Sequence, residues 1–356
     1  MVPERQAWQP ALPPGLDRRV RLMGMLLLGG AAAGLLLGYV LQRGQLCFHA
    51  VFRGLLERRT ALFKAWLLAA AVAAIGLAVL EAIGPWQMST SLALRPIPNV
   101  VGGLTFGIGM AVAASCVSGL FYKLGAGMAG AIVGLVAWGL GELGADLVDL
   151  PGPRMLAGRE TLPTLFGLPR IGVAIAIAVA VGLGLSRTRR QTPSTTWQWT
   201  WPVAGLTLGL GTTFTWLAAG ASGAGFGAST SGAVVSIADG APAWWRIAFL
   251  VALVPGATLA ARTAGGWWLR GEVGVRYAQL AAGGALMGAG ARWAGGCNLG
   301  HAMSGVAQLN LSSLLVVAAM IIGIAVTRTV QRRLGSSSVR HDPAYRSVVD
   351  DAERQD

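Results

Sequence analysis

Nine apolar runs punctuate the chain, at about 22–41, 62–82, 99–114, 126–147, 168–186, 201–219, 244–263, 277–294 and 309–327. Each is close to the roughly 20 apolar residues a helix needs to cross the hydrocarbon of a bilayer. The pattern predicts an all-α polytopic membrane protein with about nine transmembrane helices. Polar sequence flanks them: an N-terminal segment at 1–21 and a tail at 331–356 that reads as disordered. The first run follows Arg18-Arg19-Val20-Arg21, the basic flank of a secretory signal. Its counterpart later in the chain argues that it is a retained helix.

That counterpart appears when the sequence is laid over itself. At an offset of 181, Gly102, Gly103, Gly107, Gly109, Cys116 and Gly119 fall on Gly283, Gly284, Gly288, Gly290, Cys297 and Gly300. At an offset of 182, Cys47 falls on Ser229, and Gly29 and Gly38 fall on Gly211 and Gly220. The chain thus divides into a first repeat with its linking helix, 22–186, and a second repeat, 187–330. Four crossings return the chain to its starting side, and the fifth moves the second repeat to the opposite side. The predicted layout is an inverted 4+1+4 repeat, which places a substrate site near the midplane, between broken helices.

Four polar, Gly-rich breaks interrupt the apolar pattern at corresponding places: Gly44–Gly54, Ser115–Gly125, Gly223–Gly232 and Gly295–Gly305. Irregular backbone at membrane depth is tolerated where it lines a cavity or is buried in protein. Each break is expected to re-enter the membrane and start a half-helix whose N-terminal N–H groups and dipole favour an anion. Three breaks carry Cys47, Cys116 and Cys297, and the fourth carries Ser229-Thr230-Ser231. A thiol in apolar surroundings stays neutral, and its S–H is a weak donor. Helix dipoles with neutral thiols suit a polarizable sulfur-containing anion better than phosphate. Ser118, Gly119, Asn298 and Gly300 are the expected donors beside it. His49 and His301 lie close behind cysteines, as proton carriers, substrate donors or hydrogen-bonded structural residues. Glu81, Glu142 and Asp146 sit near run ends, where solvated or capping roles are expected. Gly34 to Gly38 and Gly103 to Gly107 have the spacing of helix packing. The tryptophans, among them Trp197, Trp199, Trp201, Trp244, Trp245, Trp267 and Trp268, fit interfacial belts.

Composition narrows the alternatives. Charged residues are only 12% and glycines number 52, which excludes an ordinary soluble core. The net charge of +13 would suggest nucleic acid in a soluble chain, but here the arginines flank apolar runs. With nine crossings the C-terminal side collects most of them, including Arg53, Arg58, Arg59, Arg187, Arg189 and Arg190. The positive-inside rule then puts the C-terminus in the cytoplasm and the N-terminus outside. Three cysteines without local pairing fit neither a disulfide framework nor a zinc motif. No metal or cofactor is expected.

The four breaks, "RGQLCF" around Cys47, and the two Cys-x-x-Gly elements at Cys116–Gly119 and Cys297–Gly300 resemble the YeeE/YedE family of bacterial sulfur-transport membrane proteins, over about residues 22–330. The resemblance implies thiosulfate uptake across the bacterial inner membrane and an hourglass-shaped helical fold. It also implies a route of three cysteines, which correspond to Cys47, Cys116 and Cys297, and a separate cytoplasmic sulfur-carrier partner similar to TusA. The expected function is therefore a transporter, not an enzyme. Two alternatives share the scaffold: a permease for selenium oxyanions or other sulfur anions, and an embedded sulfurtransferase that hands a sulfane sulfur to the carrier.

Overall fold

The computed structural model describes residues 16–84, 92–187 and 198–334. Among them the regular structure is helical; extended pairing is limited to isolated bridges such as Thr161 with Asn310. Every apolar run coincides with a helix. In the first half these are α1 (Leu16–Gly44), α3 (Ala61–Ile83), α4 (Pro96–Ala113) and α6 (Ala131–Asp146). In the second half they are α9 (Trp201–Ala221), α11 (Trp244–Thr263), α12 (Gly274–Ala294) and α13 (Leu311–Arg333). The linking run is α8 (Arg170–Ser186), preceded by the short helix α7 (Leu162–Phe166). Helix α1 begins six residues before its run, inside the segment expected to be polar and irregular. Residues 1–15, the tail beyond Leu334 and Trp197 lie outside the described residues.

Six helical stretches are long and apolar enough to cross a membrane: Val20–Leu56, Ala61–Ile83, Pro96–Gly125, Trp201–Ala221, Trp244–Thr263 and Leu311–Arg333. Helix α8 is apolar but shorter. Helix α6 has only 16 residues, and α12 carries Arg276, Gln279 and Arg292. Helix α12 packs against α4 and α6 together, whereas α6 buries one face and leaves Ile132, Val136 and Leu140 exposed on the other. A helix covered by neighbours does not need an apolar surface all round.

Glycines set how the helices meet. In lipid, association rests on close packing, so small residues let backbones approach. Helices α4 and α12 run antiparallel with Gly102 against Gly290 and Gly109 against Gly283. A Cβ at Gly102 would fall 2.7 Å from Gly290 O, and one at Gly109 would fall 2.7 Å from Gly283 O. Helices α1 and α9 are also antiparallel: Gly29 meets Ser222 and Gly44 meets Ala204. Four other pairs run parallel. Gly34 and Gly38 of α1 sit on the carbonyls of Phe249 and Leu253 in α11, and Gly205 and Gly209 of α9 sit on Ala65 and Ala69 of α3. Gly103 and Gly107 of α4 meet Val316 and Met320 of α13, and Gly284 and Gly288 of α12 meet Gly134 and Trp138 of α6. Helix α8 stands at the edge, held to α3 through Ala74, Ala78 and Ala174, with Ile175, Val179 and Leu183 exposed. The tryptophans divide between surface and interior. Trp267 and Trp268 are exposed, but Trp245 is buried and stacks on Phe249, because α1 covers it through Gly30.

Candidate functional site

Short helices occupy the breaks. Helix α2 (Phe48–Leu56) follows Cys47, and α5 (Val117–Gly125) follows Cys116, each thiol standing at the N-cap in extended backbone. The third break forms a π-helical turn, Leu299–Gly305, just past Cys297. Such turns are rare and concentrate at functional sites. The fourth break departs from the expected layout. Its helix α10 (Ala233–Ala238) has six residues and starts after Gly232, which has a left-handed φ of 82°. Ser229 therefore lies in the irregular stretch ahead of the helix. The local reason is composition: five glycines between 220 and 232 favour turns over helix.

The three thiols are free and buried. In the first half, Cys116 Sγ accepts the backbone N–H of Phe48 at 3.3 Å and that of Gly119 at 3.3 Å. Cys47 Sγ lies 3.5 Å from Cys116 Sγ, and Ser118 Oγ lies 3.4 Å from it. In the second half, Cys297 Sγ accepts the N–H of Thr230 at 3.3 Å and that of Gly300 at 3.3 Å. Ser229 Oγ lies 3.9 Å from Cys297 Sγ. One buried bond joins the two groups: Asn298 Nδ2 donates to Ser118 Oγ at 3.0 Å. Cys47, Cys116, Cys297, Ser118, Gly119, Asn298, Gly300 and Ser229 thus fall into one connected polar line.

The amides of Gly119 and Gly300 are occupied by sulfur. Sulfur is a weak acceptor, so these N–H groups are only weakly held. Thr230 and Phe48 are donors that motif reasoning passed over. The repeat register carries the signal for both, because an offset of 182 lays Phe48 on Thr230 as it lays Cys47 on Ser229. Thr230 Oγ1 and Asn298 Oδ1 are buried without a protein partner among the described residues, a condition that invites a ligand or water.

The histidines differ. Both ring nitrogens of His301 are engaged, Nδ1 with Ser313 Oγ at 2.9 Å and Nε2 with Ala294 O at 3.2 Å. They tie the π-helical turn to α12 and α13. His49 is buried in α2. Lys123 of α5 reaches back to the first thiol group: Nζ donates to Ser115 Oγ at 3.2 Å. At the foot of α2, burial would push the Glu57 carboxyl up, but hydrogen bonds and charge from Arg328 and Arg53 hold it below the ordinary carboxylate range.

The acidic residues near run ends also divide. Glu81 pairs with Arg170, and Asp146 with Arg292, both at partly exposed positions. Glu142 contradicts its expectation: it is fully buried. Its Oε1 accepts from Ser231 Oγ at 2.6 Å and from Gly232 N at 2.8 Å. The loop before α10 folds over it, a contact across about ninety residues that no local pattern announces.

The profile of the sulphur transport family matches residues 43–326, from the first break to the last helix. The chain belongs to that family. The thiosulfate transporter TsuA of Spirochaeta thermophila is 32% identical over 322 residues, which cover 83% of this chain and 96% of that protein. The thiosulfate transporter TsuA of Escherichia coli K12 is 32% identical over 117 residues, a third of each chain. The probable transporter YedE of the same organism is 35% identical over 105 residues, 28% of this chain and 24% of that one. The YeeE/YedE resemblance carried by the cysteine motifs is borne out, and the protein is a multi-pass membrane protein.

Proposed function

We propose that the chain takes up thiosulfate across the bacterial inner membrane, along the line of Cys297, Cys116 and Cys47. The observation that carries this reading is the pairing of each of two buried sulfurs with two backbone N–H groups from different segments. An approaching anion takes over those N–H groups, and the displaced thiol turns its S–H toward the ligand. Ser118 and Asn298 bridge the two sulfurs' surroundings, so the anion exchanges one set of donors for the next without full dehydration at any point. The named activity of the S. thermophila and E. coli relatives supports thiosulfate as the anion.

The layout we infer is nine crossings in two inverted halves linked by α8. The packing supports it: exchanging the halves turns the α1–α11 pair into α9–α3 and the α4–α13 pair into α12–α6, and the equivalent helices α1 and α9, like α4 and α12, run antiparallel. The basic residues at Arg53, Arg58, Arg59, Arg328, Arg332 and Arg333 favour a cytoplasmic C-terminus. That face also suits a separate sulfur carrier similar to TusA. The deciding experiment is uptake of thiosulfate into proteoliposomes with each sulfur labelled separately. Entry of both sulfurs is expected. Entry of one sulfur with sulfite left outside would establish a sulfurtransferase. Transport of selenium oxyanions in preference would reassign the substrate.

A further inference from the structure

A cavity of about 300 Å³ lies over Ser229, bordered by Phe226, Ser231, Gly232, Arg246 and Arg292. Ser229 links its floor to Cys297. Two opposite charges flank Gly232 there. On one side is Glu142, whose Oε1 takes the Gly232 N–H while its Oε2 is buried without a partner among the described residues. On the other side is Arg246, at the start of α11: a Cβ added to Gly232 would lie 2.7 Å from its Nη1. Arg292 is held by Asp146, whereas Arg246 makes no hydrogen bond or ion pair with any described residue.

A guanidinium at the wall of a cavity, held by no protein acceptor, is placed to make charge-assisted hydrogen bonds to an anion that enters. Two anions compete for that position, the Glu142 carboxylate behind Gly232 and a ligand in the cavity. We propose that Arg246 is the outer binding residue for the transported anion, and that Glu142 is its proton-controlled rival. A proton on Glu142 removes the competing negative charge and leaves the field of Arg246 to the ligand. Anion capture therefore strengthens as the outer pH falls. The ionisable groups facing Glu142 are Arg246 from α11 and Arg292 from α12. Helix α10 carries none, and α5 meets α6 through Leu120 and Phe121. Of these only the Glu142 carboxyl can exchange a proton, since arginine stays charged. The proposal rests on the transport reading only for the identity of the anion.

The test is equilibrium binding of labelled thiosulfate, sulfate and selenate to the purified full chain, from about pH 5 to about pH 8, where perturbed carboxyls titrate. Wild-type affinity should rise toward acid. Glu142→Gln keeps an oxygen for Ser231 and Gly232 but cannot ionise, so its affinity should stay near the wild type's acidic value at every pH. Arg246→Gln should weaken binding at least about tenfold, the loss of one charge-assisted hydrogen bond, with Arg246→Lys between the two. An unchanged pH profile in Glu142→Gln, or wild-type affinity in Arg246→Gln, overturns the proposal. If Glu142→Gln does not fold, Ser231→Ala replaces it. Removing one donor from the ionised carboxylate should move the binding midpoint to higher pH, and an unmoved midpoint overturns the proposal. Thiosulfate uptake that ignores both residues sinks this inference alone. Binding of sulfate or selenate that depends on Arg246 and pH, without thiosulfate binding, sinks the thiosulfate reading and supports this site.

Discussion

The two thiol groups share one construction and differ in their surroundings. In each, a sulfur takes two backbone N–H groups, Phe48 and Gly119 for Cys116, Thr230 and Gly300 for Cys297. The neighbour of Cys116 is a second thiol at 3.5 Å, whereas the neighbour of Cys297 is a hydroxyl at 3.9 Å. The first group has a lysine beside it, Lys123 through Ser115. The second has a buried carboxylate and an arginine around Gly232. A duplicated scaffold thus keeps the backbone donors, which depend on the fold, and diverges in the side chains, which set charge and softness. On the route proposed above, the divergence makes the two ends unlike: a hydroxyl-lined mouth at one and a thiol pair at the other.

The sharpest way to break the comparison is topological, because its outcome is all or none. Arg58 and Asp239 are exposed at equivalent turns, after α2 and after α10. With the native thiols buried, Arg58→Cys and Asp239→Cys should react with an impermeant reagent from opposite faces of the membrane. Reaction of both from one face would end the inverted layout.

Next in size are the sulfurs. Cys116→Ala and Cys297→Ala each remove an acceptor for two N–H groups and a contact for the anion. One hydrogen bond to a charged ligand is worth roughly 1.5–3 kcal/mol, about one to two decades of affinity. Both variants should nearly abolish uptake at low thiosulfate, with Cys→Ser little better. Cys47 lies in the less regular element, Cys47-Phe48-His49-Ala50, which lacks the glycine that closes the other two Cys-x-x-Gly motifs, so Cys47→Ala should be milder. Wild-type uptake by both Cys116→Ala and Cys297→Ala would reduce the thiols to packing residues.

The scaffold was more legible in the sequence than its chemistry. Apolar runs became helices because their length and composition leave no other structure in lipid. The repeated glycines were visible as a register, and Gly102, Gly109, Gly283 and Gly290 prove to be the contact points of the central helix pair. Thiol positions were readable because cysteine at a glycine-rich break has few structural reasons to recur. Glu142 was not readable: it sits four residues before Asp146, yet one is roofed by the loop before α10 and the other pairs with Arg292 at a partly exposed position. Burial there depends on a long-range contact. The π-helical turn after Cys297 was equally hidden, since Cys-x-x-Gly opens an ordinary α-helix at Cys116.

Packing offers a test of the shared scaffold. A Cβ at Gly107 runs into Met320 O and one at Gly288 into Trp138 O, at equivalent crossings. Overpacking of this kind costs typically 1–3 kcal/mol. Gly107→Ala and Gly288→Ala should lower the thermal transition in detergent by similar amounts. Gly182→Ala, with open space around it, should not lower it. A large inequality between the first two would show that the halves are not packed alike.

Lys123→Gln probes the lysine that only the first half carries beside its thiols. Gln retains a hydrogen bond to Ser115 but loses the ammonium. The field of one partly screened charge is worth roughly 1 kcal/mol, so uptake should fall a few-fold, and more at low ionic strength. Complete loss in a folded, inserted protein would make Lys123 a direct ligand.

The smallest effect is expected at Ser229, where the second half departs from the first. Its hydroxyl lies 3.9 Å from Cys297 Sγ, too far for a strong bond to a weak acceptor. Cys297 holds the N–H groups of Thr230 and Gly300 without its help. Ser229→Ala should therefore change uptake by less than about twofold, a few tenths of a kcal/mol. Ser229→Cys is the more telling variant, because it rebuilds in the second half the thiol pair of Cys47 and Cys116. If softness at both ends suits the anion equally, Ser229→Cys transports at least as well as wild type. If the hydroxyl keeps the outer mouth weak enough to release its ligand inward, the variant binds thiosulfate more tightly and turns over more slowly. Measuring affinity and maximal rate separately distinguishes the two outcomes. Slower turnover with tighter binding would identify the single serine as the residue that sets the two equivalent thiol groups apart in affinity.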